Sequence, residues 1–171
     1  MGSLDLDCCC RLLRVAGAAT LEECSAMKTS PQGIKLLHGR EGCRLKPYQD
    51  TVGVWTDGWG NTHGVIPNGR PITQEKADAD FARHLEAFEQ AINDSVTVGL
   101  EQHQFDALVS FAYNVGIGAF KSSTLLKRIN AMRFEEAALQ FDRWHIPPEI
   151  TSRRNAEREQ FKGTAFEARI A

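Results

Sequence analysis

One stretch of the sequence departs from helical periodicity, and that departure limits the fold more than any other feature. Between residues 43 and 66, Pro47, Gly53, Gly58, Gly60 and Gly64 punctuate short runs holding Tyr48, Val52, Val54, Trp55, Trp59 and Val65. Short runs of β-formers broken by glycine predict a small twisted antiparallel sheet. From Thr73 onward the apolar residues recur at three- and four-residue steps, as a helix requires. Ala77, Phe81, His84, Leu85, Phe88 and Ile92 mark one helix, and Phe105, Leu108, Val109, Ala112 and Val115 a second, more apolar one. The second is expected at the centre of the core. A chain with one sheet-forming stretch and a long helical remainder is α+β, mainly α.

Local signals set the remaining elements. Ser30 is expected to cap a short helix, with Pro31 at its first position, where a missing N–H costs nothing. Ser122 or Ser123 should cap a helix that turns Leu125, Leu126 and Ile129 inward. Phe134, Ala137, Ala138, Phe141 and Trp144 predict another, ended by Pro147-Pro148, and a last helix should run over roughly 149–163. With 171 residues this suits one domain in two lobes. Residues 1–29 are expected to be an N-terminal extension, poorly ordered, and 30–171 the domain. Its small β-containing N-terminal lobe should cover about 41–72 and its helical C-terminal lobe about 73–171. Trp55 and Trp144 are expected in the core.

Composition narrows the partners. The net charge is -2, which gives no electrostatic reason to expect nucleic acid. The basic residues are nevertheless gathered late: residues 121–171 carry ten bases and seven acids, a bias that favours an anionic substrate or a solvated helical surface. No apolar run approaches a spanning helix, so an integral membrane protein is not expected. Cys8, Cys9 and Cys10 are adjacent, Cys24 and Cys43 stand alone, and there is no CxxC pair. That pattern builds neither a disulfide framework nor a zinc site. No metal or cofactor is expected, and Cys43 reads as a semi-buried thiol.

Glu41, Asp50 and Thr56 are the candidate chemistry. Glu41 should fall at the end of the first helix, Asp50 nine residues on in the sheet region, and Thr56 six beyond that. Cleaving a glycosidic bond with inversion needs an acid to protonate the leaving oxygen. It also needs a second carboxylate, roughly 6.5–9.5 Å away, to activate water. A hydroxyl can hold that water. A groove between the lobes would admit a polymer.

The stretch from Glu41 through Pro47-Tyr48-Gln49-Asp50 to Trp55-Thr56-Asp57-Gly58-Trp59-Gly60-Asn61-Thr62-His63 resembles the active-site signature of phage-type lysozymes, the endolysins of glycoside hydrolase family 24. The run from Gln104 to Gly116 resembles the central helix of that family, and Arg153-Arg154-Asn155-Ala156-Glu157 is similar to its Arg-Arg-x-x-Glu block. The resemblance covers about residues 30–163. It implies a lysozyme-like fold with a substrate groove between the lobes, and a muramidase cutting the β-1,4 bond between N-acetylmuramic acid and N-acetylglucosamine. Glu41 would be the general acid, Asp50 the water-activating carboxylate and Thr56 the water-holding hydroxyl. Trp59, Asn61, His63, Gln104 and Asn114 would meet the sugars. An arginine of the third block would pair with the acid, Arg154 by preference and Arg153 as second choice. The implied partner is bacterial peptidoglycan. The enzyme would be a monomer waiting in the host cytoplasm and acting on the cell wall after a separate holin-like protein opens the membrane. A lytic transglycosylase and a non-catalytic glycan-binding relative are the alternatives; the presence of both Glu41 and Asp50 argues against them.

Overall fold

Three of the helices begin where a hydroxyl side chain caps them. The computed structural model describes residues 26–50 and 52–163. Helix α1 spans Pro31–Glu41, and the Ser30 hydroxyl accepts from the Gly33 N–H at its start. Helix α2, Gln74–Ser95, is capped in the same way by Thr73, which accepts from the Lys76 N–H. Ser123 caps α5, Thr124–Asn130, by accepting from the Leu126 N–H. Each cap satisfies an N–H with no partner inside its own helix.

Between α1 and α2 lies an antiparallel pair, β1 at Arg44–Gln49 and β2 at Trp55–Gly58. Its register runs Arg44 to Gly58, Tyr48 to Thr56 and Gln49 to Trp55, with an irregularity between Arg44 and Tyr48. Pro47 sits in that irregular stretch, where its lack of an N–H does not break a ladder bond. The sheet is shorter than the glycine-rich stretch suggested. Beyond β2 only an isolated bridge joins Asp57 to Asn61.

Helix α3, Gln102–Val115, is the core axis: every residue from Phe105 to Ala112 is buried. Its apolar members pack with Leu37 of α1, with Phe81, Leu85, Phe88 and Ile92 of α2, and with Leu125 and Ile129 of α5. Helix α4, Ile117–Ser122, was not anticipated; the glycines flanking Ile117 obscured it, and Phe120 anchors it in the core. Helix α7, Thr151–Lys162, closes the core with Phe161.

The stretch expected as one helix from 134 to 144 is broken. Helix α6 covers only Phe134–Ala138, and a 3₁₀ turn follows at Phe141–Arg143. The N–H groups of Gln140, Arg143 and Trp144 each bond three residues back. That tighter pitch advances the following side chains round the axis. Phe141 and Trp144 thereby still reach Phe111, at centroid distances of 5.3 and 5.4 Å. Trp144 packs on the core as expected, whereas Trp55 is half-buried on β2 outside the core cluster.

The N-terminal boundary also differs. Residues 1–25, with Cys8, Cys9, Cys10 and Cys24, lie outside the described residues. Residues 27–30, all but the last expected in the extension, are held against α2 and α3. Asn93 of α2 bonds both the N–H and the carbonyl of Met27, each at 3.0 Å. The Thr29 N–H donates to Glu89 at 2.8 Å and the Ser30 N–H to Asp106 at 2.9 Å. Gln102 donates to the Lys28 carbonyl. The fit is close enough that a Cβ on Gly33 would stand 2.7 Å from the Asp106 carboxyl carbon, which is why glycine is needed there.

Candidate active site

Glu41 is the last residue of α1, because Gly42 stops the helix. Gly42 takes φ +68°, and its N–H closes the turn onto the His38 carbonyl at 3.2 Å. Only glycine adopts that conformation without strain. The Glu41 side chain projects half-buried from the helix end.

Asp50 follows β1 and organises the turn into β2. Its Oδ1 accepts from the N–H groups of Val52 and Val54, at 2.9 and 2.8 Å. Its own N–H donates to the Val54 carbonyl. This is an Asx turn, in which a short carboxylate replaces a backbone acceptor. Oδ2 is left without a hydrogen bond among the described residues, so one oxygen is structural and the other is available. Thr56 is buried on β2; its hydroxyl donates to the Val54 carbonyl at 3.1 Å, so its lone pairs remain to accept. One hairpin therefore carries both Asp50 and Thr56.

Arg153, not Arg154, meets Glu41: its Nη1 lies 2.7 Å from Glu41 Oε1. The expected order of the two arginines is reversed for a geometric reason. One residue along α7 is a turn of about 100°, and that carries Arg154 into the core. There it is fully buried, bonded to Glu157 and to the Asn114 Oδ1. Arg154 also lies over the Phe111 ring at 5.0 Å.

The remaining site residues separate into groups. Trp59 follows β2 with one face stacked on His38, centroids 3.8 Å apart and planes 4° from parallel. Its Nε1 donates to Asp78 at 2.7 Å, and its carbonyl accepts from the Tyr113 hydroxyl at 3.0 Å. Asn61 bonds Asp57 and both backbone groups of His63, which holds the turn carrying the exposed His63. Gln104 completes a capping box at the start of α3, its Oε1 accepting from the Glu101 N–H. Asn114 lies ten residues further along that helix, about 15 Å away. The structure thus places Asn114 beside the Arg153 and Arg154 cluster and leaves Gln104 at the far end, committed to the cap. Cys43 is a free, half-buried thiol 3.8 Å from the Gln74 amide, and burial pushes its pKa up.

Four residues near Glu41 were not singled out from the sequence: Arg40, Ser110, Tyr113 and Glu157. Burial raises the Tyr113 pKa strongly; the nearby Glu41 charge adds to this and Arg153 opposes it. Burial lowers the Arg40 pKa, with Glu157 and Glu41 opposing. The only advance signals were a serine inside an apolar run and the glutamate ending the Arg-Arg-x-x-Glu block. Among the described residues, no group of three or more His, Cys, Asp or Glu side chains could hold a metal.

Comparison with solved structures gives the class first: this is a lysozyme fold. A mutant of P22 lysozyme superposes with a TM-score of 0.72 at 37% identity, covering 79% of this chain and 98% of that one. The muramidase domain of SpmX from Asticaccaulis excentricus gives 0.72 at 38% identity, covering 78% and 97%. The endolysin of Acyrthosiphon pisum secondary endosymbiont phage 1 is 37% identical over 145 residues, 80% of this chain and 99% of the relative. The phage lysozyme family model matches residues 38–157, and the chain belongs to that family.

Proposed function

We propose that the protein is an endolysin, a muramidase that hydrolyses the β-1,4 bond between N-acetylmuramic acid and N-acetylglucosamine in bacterial peptidoglycan and so lyses the host. The observation that carries this reading is the disposition of the three polar groups. A carboxyl at a helix end is engaged by a fixed guanidinium, and the hairpin that follows that helix in the chain bears a half-free carboxylate and a buried hydroxyl. Family membership supports the same reading.

The glycan would lie between the sheet-bearing segment, about residues 41–72, and the helical part from about 73. Glu41 donates a proton to the glycosidic oxygen as that bond breaks. Asp50, through the oxygen not used by the turn, takes a proton from a water held by Thr56 as the water adds to the sugar carbon. A guanidinium has no acceptor, so the proton Glu41 delivers cannot sit on an oxygen still facing Arg153. Either Oε2 carries it, or substrate parts the pair. Asn114 gives its Oδ1 to Arg154, which leaves its Nδ2 as a donor. Asn114 lines a cleft of about 320 Å³ with Val115, Trp144, Ile146, Pro147 and Ile150. That combination fits the carbonyl and methyl of an N-acetyl group. Trp59 contributes from the edge its His38 stack leaves open, and Asn61 and His63 from the adjoining turn. No helix of the described residues is long and apolar enough to cross a membrane. We place the enzyme as a monomer in the host cytoplasm until a holin-like partner gives it access to the wall.

The test is clearing of permeabilised Gram-negative cells by the wild type, Glu41→Gln and Asp50→Asn, with mass analysis of the fragments. Wild-type clearing with reducing-end products, lost by at least about 100-fold in Glu41→Gln while the fold is retained, is the expected result. Anhydro products would instead assign a transglycosylase. Clearing by Glu41→Gln at the wild-type rate would remove Glu41 from the site.

A further inference from the structure

Of the buried carboxylates that the chemistry above leaves unused, Glu157 is the most deeply buried among the described residues. Glu157 on α7 is fully buried. Its Oε1 accepts from Ser110 Oγ at 2.6 Å and from Arg153 Nε at 3.0 Å, and its Oε2 pairs with Arg154. Burying a charge is costly unless partners surround it, and an apolar side chain would often serve stability as well. The position therefore calls for an account beyond packing.

Arg153 uses its three nitrogens in three directions. Nε goes to Glu157, Nη2 donates to the Ser110 carbonyl at 3.2 Å, and Nη1 faces Glu41. Two contacts fix the guanidinium on α3 and α7, and the third presents it to α1. The same hub reaches Glu41 from its other side. Arg40, the residue before Glu41, donates to Ser110 Oγ at 2.7 Å, and Ser110 donates to Glu157. The links from Arg40 through Ser110, Glu157 and Arg153 to Glu41 close a ring around the last turn of α1. The ring and its neighbour Arg154 hold three guanidinium groups and two carboxylates. Besides Glu157, the carboxylate whose charge acts on Arg40, Arg153 and Arg154 alike is Glu41.

We propose that Glu157 is a positioning residue for the acid: it aims Arg153, steadies the last turn of α1, and keeps the surplus cationic charge from closing on Glu41. This rests on the reading of Glu41 as the acid. The charged and titratable groups that face Glu41 are Arg40 on its own helix, Tyr113 on α3, and Arg153 and Arg154 on α7, with Glu157 behind them. Glu157→Gln keeps the shape and removes the charge. Glu41 then serves more cations, and added positive charge beside a carboxyl favours its ionised form, so less of it holds a proton to give. The loss should fall on kcat, while KM, set by sugar contacts elsewhere, stays nearly constant.

The experiment uses the full chain and soluble peptidoglycan fragments, with wild type, Glu157→Gln, Arg153→Ala and the double variant. Glu157→Gln should lose roughly 10- to 100-fold in kcat with KM within about threefold of wild type. The alkaline limb of its pH–rate profile should move to lower pH. The double variant should be within about threefold of the worse single variant, because Glu157 acts through Arg153. An NMR spectrum of the arginine Nε–H groups gives a readout without activity: the Arg153 signal should be protected in wild type and exchange faster in Glu157→Gln, whose neutral amide oxygen is a weaker acceptor. Should that variant not fold, Ser110→Ala opens the same ring and should shift the limb in the same direction. Wild-type kcat in Glu157→Gln would overturn the proposal. So would losses that multiply in the double variant, or a loss with the limb and the Arg153 signal unmoved. If Glu41→Gln retains wild-type activity, the acid assignment fails instead, and the NMR arm still reports whether Glu157 holds Arg153.

Discussion

At the scale of single residues, the arginine pair shows how far spacing can be read. The block Arg153-Arg154 announced an arginine for Glu41, but neighbours in a helix differ by about 100° of rotation. Which one faces α1 depends on the phase of α7, and that phase is set by Phe161 and Glu157 turning inward. No local signal carries it. The places of Glu41, Asp50 and Thr56 in the fold were legible because they follow from a helix end and one hairpin. Trp59 was read as a sugar platform, yet His38 covers one of its faces, a contact made across elements. His38 itself yields a pH prediction. Burial lowers its pKa, opposed by Asp78, so the unfolded chain binds protons more readily. Stability should be level above about pH 7, fall as pH drops through the usual histidine value near 6.5, and level off below the folded value. His84, lowered by burial and by His63, acts in the same direction. Thermal unfolding from pH 5 to 8 should show the decline, and His38→Phe, which keeps a stacked ring, should reduce it. An unchanged slope would exclude His38 as a source.

At the scale of elements, caps were legible and pitch was not. Ser30, Thr73 and Ser123 declare their helices because a hydroxyl before a helix meets a definite need. The break after Ala138 was hidden, since α and 3₁₀ turns share the apolar spacing that defines an inward face. The segment 27–30 was missed for another reason: its partners, Glu89, Asn93, Gln102 and Asp106, are donors and acceptors more than 55 residues away in sequence, as the separations of 60, 66, 74 and 76 residues show. Its contribution can be measured by truncation. The reference is a chain that starts at residue 26. Starting it at residue 31 strips donors from the buried Glu89 and Asp106 and should cost about 3 kcal/mol or more. That is a fall of roughly 6–12 °C for a domain of this size. Equal melting temperatures would show that the segment only rests on the surface.

At the scale of the whole molecule, the sequence told that one sheet region would precede a helical body, and that α3 would be the buried helix at its centre. It did not tell that the polar ring beside Glu41 is built on the same helix as that core. Ser110 and Phe111 are consecutive, one facing Glu157 and the other Phe141, Trp144 and Arg154. Phe111→Ala should therefore lose about 3–5 kcal/mol of stability. It should also lower activity at temperatures where the domain is still folded, because the void lies against Arg154 and one residue from Ser110. Activity tracking the folded fraction alone would separate core from site.

The clasp at residues 27–30 also fixes where anything joined to this end of the chain would emerge. Entry is against α2 and α3, and Glu41 is at the opposite end of α1, eleven residues and about 16 Å away. A bead, a surface or a second protein tethered through residue 26 would pull on carboxylate anchors rather than on the hairpin that carries Asp50 and Thr56. Residue 26 is thus a handle for immobilisation, set the length of α1 from Glu41.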